Sequence, residues 1–214
     1  MKIRSAWIVM VWGGLFSAVL LGREISSDDI IQNVEKTFTS AKTLTIHFQQ
    51  TYIWKLTGEE QVLEGELLME GEKKFRVTTE DQVIVSNGTT LWTYSKPSHR
   101  VLVDKLVVSD DALLPRQILF RYTQDYRSRV TGEEAILENP CYKVVLIAKT
   151  PDVFIPQVCV WIDKKEWVPR KVEQIDIDEN RTIFLLRSLQ MNSILKEETF
   201  RFTVPEGAEV IHMQ

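Results

Sequence analysis

Residues 83–94 read Val83-Ile84-Val85-Ser86-Asn87-Gly88-Thr89-Thr90-Leu91-Trp92-Thr93-Tyr94. Two runs rich in β-branched and aromatic residues flank an Asn-Gly pair. That dipeptide favours a type I′ hairpin because both residues tolerate positive φ. A hairpin joining Val83–Val85 to Thr90–Tyr94 is therefore predicted. The period of two continues outward in both directions. Upstream, Phe75 and Val77 oppose Lys74, Arg76 and Thr78, and Leu63, Leu67 and Met69 share a face with Gly65 against Glu64, Glu66 and Glu70. The alternation begins at Thr43. Downstream, Val101 and Val103 mark a further strand. Strand patterns resume at 141–149, 157–163, 168–177, 182–191 and 197–204, and in the last of these Phe200, Phe202 and Val204 alternate with Thr199, Arg201 and Thr203. Pro140, Pro151, Pro156 and Pro169 lie near strand ends, where a missing N–H does least harm.

Two segments depart from this period. Ser26 or Ser27 can cap a helix whose first turn holds Asp28 and Asp29, where acidic groups suit the positive helix end. Ile30, Val34 and Phe38 then recur every four residues with Ile31 beside them, a single apolar stripe. Asp110 to Tyr122 contains Leu113, Leu114, Ile118, Leu119 and Phe120, with Pro115 suited to a first helical turn. The expected fold class is mainly β with two short helical segments. About ten antiparallel strands form one curved sheet, a half-open β-barrel covered by a helical lid.

The chain has 214 residues, is 44% hydrophobic and 26% charged, and carries a formal net charge of -4. That composition is globular, and the acidic balance argues against a nucleic-acid partner. Residues 1–22 differ from the rest. Lys2 and Arg4 precede an uncharged run of 16 residues from Ala6 to Leu21, which Arg23 and Glu24 end. This reads as a secretory signal peptide, followed by a single exported domain over 23–214. An uncleaved anchor is the alternative, although a span needs about 20 apolar residues. No Cys follows the run to take a lipid anchor.

Cys141 and Cys159 would come nearly opposite one another if a hairpin turned near Thr150-Pro151-Asp152. A disulfide between them and a pair of buried thiols are both compatible with the sequence. His47, His99 and His212 are scattered, and no hydrolase, metalloprotease or nucleotide-binding motif is present. The expectation is therefore a protein that is not an enzyme and uses no cofactor. Trp54, Leu67, Phe75, Trp92, Tyr94, Trp161, Phe184, Phe200 and Phe202 are candidates for one apolar side of the sheet. Periodicity alone does not separate a filled barrel from one holding a cavity.

Several stretches resemble the LolA family. Glu64-Gly65-Glu66-Leu67 with Lys74-Phe75-Arg76 is similar to its paired strands, and Val83 to Tyr94 is similar to its hairpin. Phe48-Gln49-Gln50, Pro115 with Ile118-Leu119, and Phe200 through Ile211 resemble further family segments, so that the match runs in order over 27–211. The resemblance implies a monomeric carrier of acylated lipoproteins, loaded by an inner-membrane exporter and unloaded to an outer-membrane receptor. Ile30, Val34 and Phe38 would line the first lid helix, and Ile118 and Leu119 the central one. Leu67, Phe75, Trp92, Trp161 and Phe184 would line the sheet. The same fold also serves carriers or sensors of other lipids, such as glycolipids or phospholipids. One departure concerns the lid: Gly71 stands where the family has an Arg that hydrogen-bonds lid backbone.

Overall fold

Ser26 caps the first helix as its position predicts: its hydroxyl accepts the Asp29 N–H at 3.1 Å. Helix α1 (Ser27–Ser40) buries Ile30, Val34 and Phe38 on one side and ends at Ala41, whose N–H donates to the Phe38 carbonyl. The structure is a computed structural model and describes residues 25–106, 125–150 and 153–213. The central helix expected over 110–122 and the signal segment over 1–22 lie outside the described residues.

Strands follow in the order β1 (Thr43–Ile53), β2 (Glu60–Glu70), β3 (Lys74–Thr79), β4 (Gln82–Asn87), β5 (Thr90–Ser95), β6 (Arg100–Lys105), β7 (Tyr126–Ile136), β8 (Asn139–Ala148), β9 (Gln157–Asp163), β10 (Pro169–Ile175), β11 (Arg181–Met191) and β12 (Glu209–His212). Among the described residues these make one curved twelve-stranded sheet, ordered β12-β6-β5-β4-β3-β2-β1-β11-β10-β9-β8-β7. It does not close, because β12 and β7 are its two edges. The first strand sits at its centre, between β2 and β11, so N- and C-terminal halves are joined through β1. All pairings are antiparallel except β12 with β6, which is parallel.

The sheet corrects the sequence reading in four places. The 83–94 hairpin forms, but only Gly88 adopts positive φ; Asn87 instead closes the turn with its side chain, Oδ1 accepting the N–H groups of Thr89 at 3.0 Å and Thr90 at 2.9 Å. Segment 197–204 is not a strand: Glu197–Phe200 is a 3-10 turn, and the chain then runs extended without a ladder. Its alternation is real, since Phe200 is buried and Phe202 half-buried, but it packs across the sheet rather than within it. β12, beyond that segment, went unpredicted. So did β7, an edge strand whose exposed Arg127, Arg129, Glu133 and Glu134 dilute its alternation and whose register shifts between Val130 and Gly132.

The β9–β10 hairpin turns on a buried ion pair. Asp163 accepts the N–H groups of Lys165 at 2.8 Å and Glu166 at 3.0 Å, and the Arg170 guanidinium donates Nε and Nη2 to its Oδ2 at 3.0 and 2.9 Å. Burial pushes the Asp163 carboxyl up. The backbone bonds from Glu166 and Lys165 and the Arg170 charge outweigh burial and hold it below the usual carboxylate range. The stability this supplies is complete above the unfolded value of about 3.9 and fades as pH falls through the folded value. Asp163→Asn, which leaves Arg170 without its charge partner, is expected to cost about 3 kcal/mol at pH 7. In urea unfolding the gap from wild type should narrow below about pH 4; a gap independent of pH would contradict this.

Candidate functional site

Alternation puts successive strand residues on opposite faces, and the buried residues sort accordingly into two sets. Ile30, Val34 and Phe38 of α1 pack with Leu44 and Ile46 of β1, Leu67 and Met69 of β2, and Phe75 of β3. Val144, Leu146, Val158, Val160, Ile162, Val172 and Leu186 join them from the other half of the sheet. This is the inner face. Beside the part that α1 covers, Phe48, Val77, Ile84, Leu91 and Phe184 continue the same apolar floor while only half-buried.

Phe48 fixes the shape of that floor. It pairs with Gly65 across β1 and β2. A Cβ on Gly65 would stand 2.6 Å from the Phe48 ring and 3.0 Å from the Thr78 carbonyl. Glycine is therefore required for the ring to lie across the strand. Phe184 meets Phe48 edge-on, with ring centroids 6.4 Å apart. No ionisable side chain interrupts Leu44, Ile46 and Phe48 on β1, Leu63, Gly65, Leu67 and Met69 on β2, or Phe75 and Val77 on β3. The alternating Glu64, Glu66, Glu70 and Arg76 face the other way. Phe48, Val77, Ile84 and Leu91 are absent from the lining residues expected from sequence; the glycine opposite Phe48 is the available signal.

Of the predicted lining residues, the structure brings together Ile30, Val34, Phe38, Leu67, Phe75 and Phe184. Ile118 and Leu119 lie outside the described residues. Two assignments are corrected. Trp92 faces away from the floor, because its neighbour Leu91 is the one that reaches the α1 set. The Trp92 ring stacks on Phe202 at 6.1 Å, and Tyr94 meets Phe202 at 6.3 Å, so the C-terminal segment covers them on the outer face. Trp161 is also on the outer face, buried with Ile136, Cys141, Val145 and Cys159. Its Nε1 donates to Glu134 at 2.7 Å, and the Lys143 and Lys171 ammonium groups lie 5.0 and 4.2 Å from its ring. Trp161 therefore seals the back of the sheet.

Cys141 and Cys159 are free thiols. Cys141 pairs with Asp163, whereas Cys159 pairs with Val145, so the two are four residues out of register. At about 3.3 Å per residue that offset is near 13 Å, far beyond disulfide reach. Burial pushes the Cys141 thiol up. Gly71 occupies the β2–β3 turn at φ 64, a conformation that disfavours a side chain, with its N–H donating to the Lys42 carbonyl at 3.0 Å. Nearby Lys74 is held by Glu70 at 2.8 Å, and that hydrogen bond raises its pKa. Among the described residues there is no cluster of three or more metal-ligating side chains, and no helix is long and apolar enough to cross a membrane.

These features define a class: a half-open antiparallel scaffold wrapped part-way round a helix, with an uncharged inner floor. The family model for "Outer membrane lipoprotein carrier protein LolA" matches residues 39–203, and the chain belongs to the LolA family. It is 28% identical over 187 residues to the outer-membrane lipoprotein carrier protein of Azotobacter vinelandii, covering 85% of this chain and 87% of that one. It is 24% identical over 204 residues to the protein of the same name from Pseudomonas aeruginosa PAO1, covering 91% and 95%. In fold it is similar to an uncharacterised conserved protein of Thermus thermophilus, with a TM-score of 0.58 at 15% identity over 87% of this chain and 98% of that one.

Gly65→Ala is expected to cost about 1–3 kcal/mol through overpacking. Replacing Phe48 by Leu in the same chain should recover part of that loss but not all, since the Thr78 carbonyl stays. Equal stability of Gly65→Ala and wild type in urea unfolding would show that the ring does not occupy the strand surface.

Proposed function

We propose that the protein carries the acyl chains of lipoproteins across the periplasm, from an inner-membrane exporter to an outer-membrane receptor. The residues of 1–22 direct its export. One observation carries the reading: the apolar floor extends past the helix that packs on it, and no ionised side chain interrupts it on β1, β2 or β3. Membership of a family of lipoprotein carriers supports it.

The physical problem such a carrier solves is large. Each methylene left in water costs about 0.8 kcal/mol, so one long acyl chain costs on the order of 10 kcal/mol. A floor of Phe48, Phe184, Val77, Ile84 and Leu91 offsets that by area rather than by directed bonds. Non-directional contact suits a cargo that has to be released as well as held. Helix α1 then acts as part of a lid whose opening sets the balance between holding and release.

A triacylated lipopeptide is expected to bind at least tenfold more tightly than its unacylated form. Phe184→Asp, which puts a charge on the floor, should weaken acyl binding by tenfold or more, at a cost of about 1.4 kcal/mol per decade. Trp161→Phe, on the outer face, should leave it unchanged. Equal affinity for both peptides in a titration would reject the proposal, and mass spectrometry of extracted lipid would reveal a glycolipid or phospholipid cargo instead.

A further inference from the structure

A row of neutral hydrogen-bonding side chains crosses the inner face beside Phe48 and Phe184. Gln174 of β10 stands opposite Thr182 of β11, Thr182 opposite Tyr52 of β1, and Tyr52 opposite Gln61 of β2. Alternation places all four on the inner face, because each is an even number of residues from a member of the inner cluster on its own strand: Val172, Phe184, Phe48 and Leu67. Four strands about 4.8 Å apart make the row about 14 Å wide. Gln50 lies on the same face of β1, between the row and the rings.

Gln50 is set among apolar neighbours. Along β1 it stands between Phe48 and Tyr52, and across the sheet between Phe184 and Leu63, where it is half-buried. Among the described residues its carboxamide has no hydrogen-bond partner, and neither do the Tyr52 and Thr182 hydroxyls. On the outer face, by contrast, the next residue, Gln49, is held by Arg187. Water satisfies the inner groups while the floor is empty. A hydrocarbon guest laid over the floor displaces that water, and an amide or hydroxyl left unpaired under it is costly. The guest that fits is one that brings its own acceptors to this row.

Two observations choose those acceptors. First, none of the five residues is a carboxylate, amine, guanidinium or imidazole, and the cations flanking them along the chain are paired, Lys55 with Glu179 and Arg181 with Glu173, both at 2.7 Å. A phosphate seated on the row would meet no cation to make a charge-assisted bond, whereas a neutral carbonyl accepts from the carboxamide N–H and hydroxyl groups present. Second, the row borders the floor. From Tyr52 the inner side chains of β1 run through Gln50, Phe48 and Ile46 to Leu44 in the helix-covered core, a path of about 26 Å. A hydrocarbon chain that begins at a carbonyl on Gln50 or Tyr52 and follows β1 lays its methylenes on the apolar floor.

We infer that Gln50, Tyr52, Gln61, Thr182 and Gln174 form a carbonyl subsite. They donate hydrogen bonds to the ester or amide carbonyls at which acyl chains join an uncharged head, and they orient the cargo with its chain ends towards α1 and its head at the β1–β2 loop end of the floor. The inference rests on the lipid-carrier reading above. Its test uses the full chain and the near-isosteric variant combining Gln50→Leu, Tyr52→Phe and Thr182→Val. The probes are a peptide with two ester-linked chains, its analogue with two ether-linked chains of the same length, and phosphatidylglycerol with those chains. Wild type should bind both peptides. The variant should bind the ester form about tenfold more weakly and the ether form at least as tightly as wild type does, with an unchanged melting temperature. Phosphatidylglycerol offers the same ester carbonyls beside a phosphate, and wild type should bind it at least tenfold more weakly than the ester peptide. Equal weakening of the ester and ether forms, or weakening of neither, would overturn the subsite. Phosphatidylglycerol bound as tightly as the ester peptide would overturn the assignment of an uncharged head. Binding of neither peptide by wild type would fell the carrier reading itself, and the subsite with it.

Discussion

Among the described residues one helix packs on the inner face of a wide sheet, and this is the constraint from which the rest follows. Helix α1 has 14 residues and is about 21 Å long. Twelve strands spaced about 4.8 Å apart extend roughly 53 Å across the sheet. Ile30, Val34 and Phe38 therefore seal only part of the apolar face, and the face continues beyond them through Phe48, Val77, Ile84, Leu91 and Phe184. An apolar floor wider than its helix is what a protein needs if its interior is to be completed by a guest.

Such a floor requires a back that does not open. The outer face is closed by means that leave the inner one untouched. The C-terminal segment lays Phe200 and Phe202 against the β3–β5 side, where Phe202 stacks on Trp92, and β12 then pairs with the edge of β6. On the other half, Trp161 is clamped by Glu134 and two lysine ammonium groups. Asp163 and Arg170 set the hairpin that carries it. Among the described residues the buried carboxylates, Asp163 and Glu173, thus lie behind the sheet, opposite Cys141 and Cys159, and off the face where adaptability is needed.

The helix and most of the strands were legible in the sequence because each has one buried side. Ile30, Val34 and Phe38 announced α1, and the alternation of Phe75 and Val77 with Lys74 and Arg76 announced β3. What was not legible was which face is which. In Val158-Cys159-Val160-Trp161-Ile162 every residue is buried, so a period of two points nowhere. That is why Trp161, like Trp92, was assigned to the floor and belongs to the back. The cysteine pair failed for a related reason: the β8–β9 register centres on residue 152 rather than 150, and a shift of two residues moves the partners four apart. β7 escaped notice because an edge strand is half-solvated and its bulge at Gly132 breaks the alternation that would reveal it.

The claim on which the account turns is that hydrocarbon lies on the α1 side of the sheet. A triacylated peptide with a photoactivatable group near the end of one chain, bound to the full-length protein and cross-linked, tests this directly. The account predicts adducts on inner-face residues such as Phe48, Val77, Ile84 or Phe184. Adducts confined to outer-face residues such as Trp92, Cys159 or Trp161 would contradict it.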